Sequence, residues 1–291
     1  MSFYKIYNSL INVPNNLFFP LKKNDKNNKN FKKKGFLIEN FLPDYQKYFQ
    51  ELSIYIKTKL DLDSLRENLI AKDKTAFTDN IFTYLDESKK KELYNFFSKA
   101  ELIDKVSLLL GTRCKLQNVL IIYNFYNENT KENEGSKMWH RDSDSLSDQM
   151  KIFIPLTRVD SNNGKFYFIS NEYVSYDKKF RLDKKKMRDP KISVWNKFRT
   201  EDFQVFDYLK DMNKINSISG EIGQPLYIDT SRVYHKGGYV NSKKLFRLML
   251  QATYTPIITL TSWDEKQNKF FLNLLIKFFF HIFFYPLICF L

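Results

Sequence analysis

Two short segments of the chain carry side chains that can bind a metal ion. The segment Met138-Trp-His-Arg-Asp142 places His140 and Asp142 two residues apart, and Asp229-Thr-Ser-Arg-Val-Tyr-His235 contributes His235. In an extended segment, residues i and i+2 project to the same face. Two imidazoles and one carboxylate form a facial triad for Fe(II), which leaves open positions for a chelating co-substrate and dioxygen. We therefore predict that these three residues are the metal ligands and the catalytic centre.

An arginine follows the distal histidine at a spacing that adds to this prediction. Arg247 lies twelve residues after His235, in the strand-like run Leu245-Phe-Arg-Leu-Met-Leu250. A buried arginine can hold a carboxylate with two parallel hydrogen bonds. We predict that Arg247 binds the distal carboxylate of 2-oxoglutarate, whose keto acid end would chelate the iron. A lone His-x-Asp more often lies on a polar surface than at a metal site. The ordered set of His-x-Asp, a later His and an Arg about a dozen residues on is more specific.

Residues near the triad have alternative interpretations. Asp229 could orient His235 through a hydrogen bond, or it could be a strand-end aspartate with a local role. Arg141 points to the face opposite His140, so an ion pair is favoured over catalysis. Trp139 is favoured as a core or rim aromatic over a substrate contact.

The first part of the chain is predicted to be irregular and then helical. Residues 1–35 are rich in lysine and asparagine, which indicates a solvated segment. Residues 42–111 have helical spacing, with Pro43 suited to the first turn and Gly111 suited to the C-terminal end. We expect these helices to cover one side of a sheet.

The later part of the chain is predicted to form strands. Residues 115–257 contain short runs rich in β-branched and aromatic residues, separated by turns such as Ser161-Asn-Asn-Gly164. Short strands in this number favour a β-sandwich or a jelly roll. Residues 171–214 interrupt them with a long charged insertion, which we expect to act as a lid or binding loop. We take residues 36–262 as a single domain.

Composition restricts the class of protein and its location. The chain has 291 residues and a formal net charge of +14, but the positive charge is scattered and no nucleic-acid motif is present. We therefore expect no nucleic-acid partner. Two cysteines without a CxxC pair favour a reducing compartment, and the N-terminus has no secretory signal pattern. A cytoplasmic location is predicted.

The C-terminal tail, residues 263–291, is strongly hydrophobic. Residues 270–291 are apolar except for interruptions such as Lys277 and His281. A helix of this length would cover a bilayer core of about 30 Å. Three alternatives stay open: contact with a membrane surface, packing on the domain or on a dimer partner, and a spanning anchor. The oligomeric state is left open as well.

The motifs together resemble the phytanoyl-CoA dioxygenase family. The resemblance covers about residues 100–257. It implies a double-stranded β-helix, the jelly roll of 2-oxoglutarate oxygenases, so the expected fold class is α+β, mainly β, with N-terminal helices flanking this core. It is carried by four segments: Trp139-His-Arg-Asp142, Ile152-Phe-Ile-Pro-Leu156, the turn Gly220-Glu-Ile-Gly223, and Asp229 to His235-Lys-Gly-Gly238 followed by Arg247.

The resemblance also assigns roles to residues. It implies iron ligands at the triad, a co-substrate clamp at Arg247, and polar co-substrate residues on the preceding strand, for which Tyr123, Asn124 and Tyr126 are candidates. Many members carry a Ser or Thr two residues after the distal histidine, but this chain has Gly237 there. Halogenating relatives replace the acid of His-x-Asp, so an aspartate at this position favours hydroxylation.

The sequence thus predicts an Fe(II)- and 2-oxoglutarate-dependent dioxygenase. It would hydroxylate a C–H bond of a small or lipid-like substrate, for which the basic insertion suggests a negative charge, and release succinate and CO₂. The alternative is a non-catalytic jelly-roll binding protein attached to a membrane by its C-terminal tail, which Gly237 favours.

Overall fold

The computed structural model describes residues 26–40, 42–130, 135–142, 148–174 and 199–257. Within these ranges the chain forms six α-helices and nine β-strands. The helices are α1 (Lys26–Lys34), α2 (Pro43–Lys59), α3 (Leu62–Lys72), α4 (Glu87–Phe97), α5 (Ala100–Leu110) and α6 (Asp202–Leu209). The strands are β1 (Phe36–Ile38), β2 (Thr78–Asn80), β3 (Cys114–Phe125), β4 (Met150–Pro155), β5 (Phe166–Ile169), β6 (Ile215–Ile218), β7 (Leu226–Asp229), β8 (Tyr234–Gly237) and β9 (Phe246–Pro256).

Local chemistry sets the limits of the helices. Pro43 occupies the first turn of α2, where its missing N–H is not needed. Asp61 and Asp86 cap α3 and α4, each accepting a hydrogen bond from the backbone N–H three residues later. Gly111 ends α5 in the left-handed conformation with φ 77°. The predictions for Pro43 and Gly111 are confirmed.

Helix α1 differs from the expectation that residues 1–35 are irregular. Lys26–Lys34 is helical, and three lysines lie in its last turn, where positive charge favours a helix. Its one buried apolar side chain, Phe31, joins the core beneath the helices. A single apolar residue produces no periodic pattern, which explains why the sequence did not indicate this helix.

The strands form two antiparallel sheets. The larger has the order β1-β7-β4-β9-β3-β2, and the smaller has the order β6-β5-β8. The long strands β3 and β9 pair from Cys114↔Pro256 to Phe125↔Phe246. This is the mixed helical and antiparallel structure that was expected, although helices contribute at least as many described residues as strands. Because neighbours in each sheet are distant in sequence, residues from separate segments are brought together.

The two faces of the large sheet belong to different cores. On β9, the even-numbered residues from Leu248 to Tyr254 pack with the helices, whereas Met249 packs toward the small sheet. Between the sheets, the Phe153 ring of β4 lies 4.7 Å from the Phe166 ring of β5, measured between centroids. The strand period of two therefore sorts side chains into two layers of core. The order of layers is helices, large sheet, small sheet.

Several expectations fall outside the described residues. The structure does not describe the tail at 263–291, so the expected membrane contact of residues 270–291 lies outside the described residues. The same holds for residues 175–198 of the insertion. Among the residues that are described, no helix has the length and apolar character needed to cross a bilayer. The division into an N-terminal segment, a domain over 36–262 and a tail stays a prediction.

The packing of α2 on the sheet can be tested at Phe49. This side chain is fully buried, and its ring centroid lies 5.3 Å from that of Phe96 on α4. The variant Phe49→Ala should lower the free energy of unfolding by about 3 to 5 kcal/mol, because it leaves a cavity in the core. Ile54 of the same helix is 64 % exposed, so Ile54→Ala should change stability by less than about 0.5 kcal/mol. Equal losses in denaturant melts of the two variants would contradict this orientation of α2.

Candidate metal centre

The two segments with metal-binding side chains are joined through their backbones. The N–H of His140 donates to the carbonyl of His235 at 3.0 Å, and the N–H of His235 donates to the carbonyl of His140 at 2.9 Å. Such a reciprocal pair is the hydrogen-bonded position of an antiparallel ladder, at which facing side chains share one side. The centroids of the two imidazole rings are accordingly 4.3 Å apart.

Both imidazoles are held in the tautomer that a metal ligand needs. Nδ1 of His140 lies 2.8 Å from the carbonyl of Met138, and Nδ1 of His235 lies 3.0 Å from the carbonyl of Val233. A carbonyl oxygen only accepts, so Nδ1 carries the hydrogen and Nε2 presents its lone pair. Burial lowers the pKa of both histidines, and His140 is lowered well below its usual value with further contributions from His235 and Arg199. Both rings are therefore neutral at neutral pH.

Asp142 completes the cluster from the same side. Its backbone N–H donates to the carbonyl of Thr230 at 2.8 Å. Its Oδ1 lies 3.8 Å from Nε2 of His140, and its Oδ2 lies 3.7 Å from Nε2 of His235. Burial alone would raise the pKa of this carboxyl, but the ammonium group of Lys151, whose Nζ lies 2.8 Å from Oδ2, holds the pKa well below its usual range. The carboxylate is therefore ionised.

The three residues fit a divalent transition-metal ion. One possible ligand atom from each residue lies within 4.8 Å of the other two. Two atoms that bind one ion at about 2.1 Å can be at most about 4.2 Å apart. Each imidazole Nε2 lies within that limit of one oxygen of Asp142, His140 of Oδ1 and His235 of Oδ2. Neutral imidazoles with one carboxylate are the donor set of non-haem Fe(II) sites.

Arg247 lies on β9 beside this cluster. Its Nε and Nη2 donate to Oδ1 of Asn124 at 3.2 and 2.8 Å, and its Nη1 donates to the carbonyl of Gly164. The residue is only 5 % exposed, and these partners are neutral. A Cβ on Gly237 would lie 3.3 Å from Nη2 of Arg247. The guanidinium therefore borders the strand position two residues beyond His235, which is a step of about 7 Å along a strand.

The residues predicted on the preceding strand have different environments. Asn124 faces the space between the sheets and contacts Arg247. Tyr123 faces the helices instead, where its hydroxyl donates to the carbonyl of Leu62 at 2.9 Å, so it does not reach the centre. The expectation for Tyr123 is corrected because alternate residues of a strand face opposite sides. Tyr126 lines, together with Asn124, a cavity of about 270 Å³.

Gly237 occupies the position at which a hydroxyl residue was expected from the resemblance. A Cβ at this position would lie 3.3 Å from Nη2 of Arg247 and 3.6 Å from the carbonyl of Ser136. The short helical turn Gly135–Lys137 thus packs against the end of β8 together with the guanidinium. A serine or threonine here would require the guanidinium to shift by a few tenths of an ångström.

Two cations near the cluster were missed in the sequence. Lys151 lies on the same face of β4 as Phe153, between the sheets. The spacing of two residues between this lysine and a buried phenylalanine could have indicated that the lysine points inward. Arg199 precedes Thr200, which pairs with Trp139 across an isolated bridge. Since Trp139 and Thr200 share one face, Arg199 lies on the other face, which is the side of the two imidazoles.

The neighbours of the triad have structural roles. The indole of Trp139 is fully buried, and its Nε1–H donates to Oδ1 of Asp202 at 2.7 Å. This bond anchors α6 beside the small sheet. The guanidinium carbon of Arg141 lies 4.1 Å from the centroid of the Tyr234 ring. Arg141 therefore stacks on an aromatic side chain.

Asp229 does not orient the distal histidine. It lies on the helix side of β7 and pairs with Nε of Arg232 at 3.3 Å, while Nη2 of Arg232 pairs with Asp148 at 2.6 Å. Between Asp229 and Arg232 lies Thr230, whose carbonyl accepts the N–H of Asp142. This buried group of charges therefore shapes the turn that positions the carboxylate of Asp142.

Comparisons with known proteins give no family membership. No protein-family model matches the chain. The curated proteins contain no match either. Similar solved structures include EctD from S. alaskensis with 2-oxoglutarate and 5-hydroxyectoine, at 15 % identity and TM-score 0.49, covering 82 % of this chain and 78 % of that one. The epimerase SnoN in complex with Fe³⁺, alpha ketoglutarate and nogalamycin RO has 10 % identity and TM-score 0.48, covering 80 % and 84 %. The monooxygenase ThoJ in its Ni complex has 13 % identity and TM-score 0.46, covering 81 % and 80 %. These ligands belong to those proteins.

The charged group beside the Thr230 turn should make stability depend on pH. Burial raises the pKa of Asp229 to about 6, with Asp148 adding to the effect and Arg232 opposing it. The pKa of an aspartate in the unfolded chain is about 4. An acid whose pKa is raised by folding destabilises the fold as the pH rises from about 4 toward 6. Relative to the native chain, Asp229→Asn should therefore gain about 2 to 3 kcal/mol of unfolding free energy between about pH 4 and pH 7.5. The exposed Asp63→Asn is the control in thermal melts, and parallel pH profiles for Asp229→Asn and the native chain would contradict the assignment.

Proposed function

We propose that this chain is an Fe(II)- and 2-oxoglutarate-dependent dioxygenase. It hydroxylates a C–H bond of a small or lipid-like, anionic substrate, with release of succinate and CO₂. The observation that carries the proposal is one juxtaposition: His235 belongs to a cluster of two neutral imidazoles and an ionised carboxylate, and Gly237, two residues further along β8, borders a buried guanidinium with neutral partners. The cluster of imidazoles and carboxylate suits a metal ion, and the buried guanidinium requires an anion.

In this proposal, His140, Asp142 and His235 hold the iron. When bound, the iron supplies the activation of dioxygen and the oxidative decarboxylation of the keto acid that drive hydroxylation. The Nδ1–H bonds of the two histidines to main-chain carbonyls orient the rings and fix their tautomers. The bond from the Asp142 N–H to the carbonyl of Thr230 orients the carboxylate.

Arg247 binds the distal carboxylate of the co-substrate. A guanidinium has five N–H groups, and three of those of Arg247 donate to Asn124 and Gly164. Among the described residues, one N–H on each terminal nitrogen is left without an acceptor, which suits a carboxylate bound through two parallel hydrogen bonds. The step of about 7 Å along β8 from the level of His235 to that of Gly237 suits a five-carbon diacid with its keto acid end at the metal.

The fold assignment within this proposal is a double-stranded β-helix of the phytanoyl-CoA dioxygenase family. It is supported by the facing sheets, with Phe153 against Phe166, and by the backbone bridge between His140 and His235. A cytoplasmic location, and contact of residues 270–291 with a membrane surface, are parts of the same proposal. Tyr126 is proposed as a further residue on the co-substrate side.

Removal of a metal ligand tests the proposal at its centre. The native chain should bind Mn(II) anaerobically, and His140→Ala should weaken that affinity by more than about 100-fold, because even an outer partner of a ligand contributes 10- to 100-fold. With Fe(II), ascorbate and a suitable substrate, the native chain should form succinate and His140→Ala should not. Thermal melts control for folding. The alternative of a non-catalytic binding protein predicts no metal-dependent turnover, and that result with the native chain would contradict the proposal.

Removal of the guanidinium tests the co-substrate assignment separately. Arg247→Met should weaken binding of 2-oxoglutarate to the Mn(II)-loaded chain by about 2 to 5 kcal/mol, as expected when one partner of a buried charge pair is lost. Mn(II) affinity should stay within about threefold, because Arg247 contacts no proposed ligand. Arg158→Met, at an exposed arginine, is the control measured by the same titration calorimetry. Unchanged 2-oxoglutarate affinity in Arg247→Met would overturn the role of this residue.

A further inference from the structure

A lysine contacts the carboxylate of the proposed metal site. Nζ of Lys151 lies 2.8 Å from Oδ2 of Asp142, and that same oxygen lies 3.7 Å from Nε2 of His235. The Lys151 and Asp142 side chains are only 16 % and 11 % exposed. One carboxylate oxygen therefore faces both an ammonium group and the space in which the metal ion is proposed to bind.

The position of Lys151 follows from the register of the large sheet. β4 lies between β7 and β9, and Lys151 pairs with Ile228 and Thr253. Alternation along β4 turns Lys151 and Phe153 toward the small sheet, while Ile152 packs with the helices. A lysine enclosed in this way is costly unless it has an anionic partner, and Asp142 is that partner.

We propose that Lys151 is a positioning residue that sets the net charge of the metal centre. In the metal-free chain its ammonium group takes the place of the metal ion as the positive partner of Asp142. It compensates and orients the Asp142 carboxylate before metal binds, it opposes the metal ion through like charge, and it favours the dianionic co-substrate. This inference rests on the proposed function, since it requires a metal ion at His140, Asp142 and His235. Its consequence is that Lys151 weakens the binding of the metal ion alone and strengthens the binding of 2-oxoglutarate.

The direction of each effect follows from elementary electrostatics. Charges in a buried site interact more strongly than charges in water, so a positive side chain in contact with a ligand of a divalent cation weakens its binding. The same charge attracts a dianion that arrives at the metal. In the metal-free chain, loss of the ammonium would leave the Asp142 carboxylate buried without its ion pair, and this destabilises the fold.

The test compares Lys151→Met with Lys151→Arg and a remote control. Lys105 forms a partly buried ion pair with Glu39 on the opposite side of the large sheet, beside Tyr227. Lys105→Met therefore removes a comparable ion pair without touching the centre. The measurements are the Mn(II) dissociation constant, the Tm with and without Mn(II), and the dissociation constant of 2-oxoglutarate for the Mn(II)-loaded chain without oxygen.

We expect Lys151→Met to bind Mn(II) at least about tenfold more tightly and 2-oxoglutarate at least about tenfold more weakly than the native chain. Its Tm should fall without metal and should rise more on addition of Mn(II). Lys151→Arg should stay within about threefold of the native chain in both affinities, because it keeps the charge. Lys105→Met should lower only the Tm.

A purely structural lysine would give a different result. Mn(II) affinity of Lys151→Met equal to or weaker than that of the native chain would overturn the inference, while Mn(II) binding by the native chain would leave the proposed function standing. If Lys151→Met does not fold, Lys151→Gln keeps a polar side chain, and the same rise in Mn(II) affinity is required of it. Failure of the native chain itself to bind Mn(II) would overturn the proposed function and this inference together.

Discussion

The centre depends on one pair of backbone hydrogen bonds, between His140 and His235. This bridge joins a segment outside the named strands to β8, and it brings two imidazoles to the same side of the backbone. β8 in turn takes its register from β5, in which Phe168 pairs with His235. A slip of one residue in that pairing would turn His235 away from its partner, because the side-chain period of a strand is two.

A second backbone pairing, between β3 and β9, positions the proposed anion site. Asn124 of β3 faces Arg247 of β9 across the ladder, and the same two residues form the side-chain hydrogen bonds that hold the guanidinium. The small sheet therefore positions the two imidazoles, and the large sheet positions the guanidinium. Because Gly237 closely approaches Arg247, the two sheets meet where one ligand could contact both groups. The chemistry of the site is thus a consequence of register within each sheet and of packing between them.

The sequence predicted the parts of the site that depend on short spacing. His140 and Asp142 are two residues apart, so a local rule places them together, and the arginine twelve residues after His235 was recognisable by type and order. It did not distinguish Tyr123 from Asn124, since the run from Val119 to Tyr126 is apolar on both faces and gives no phase. That phase is set by helices on one side of β3 and the small sheet on the other, which are long-range features. Lys151 was missed for the same reason, because its inward direction follows from the alternation of β4 with respect to both cores.

The helical layer also contributes to the centre, although it supplies none of the three triad residues. Asp229 lies on the helix side of the large sheet with Asp148 and Arg232, and all three are charged groups that require one another once they are enclosed. Their pairing restrains the turn after β7, and that turn presents the carbonyl of Thr230 to the N–H of Asp142. A rearrangement of the helices that admitted water to this group would therefore loosen the turn and, through one hydrogen bond, the carboxylate on the other side of the sheet. Stability and metal-site geometry are coupled at this turn, because the same backbone serves both.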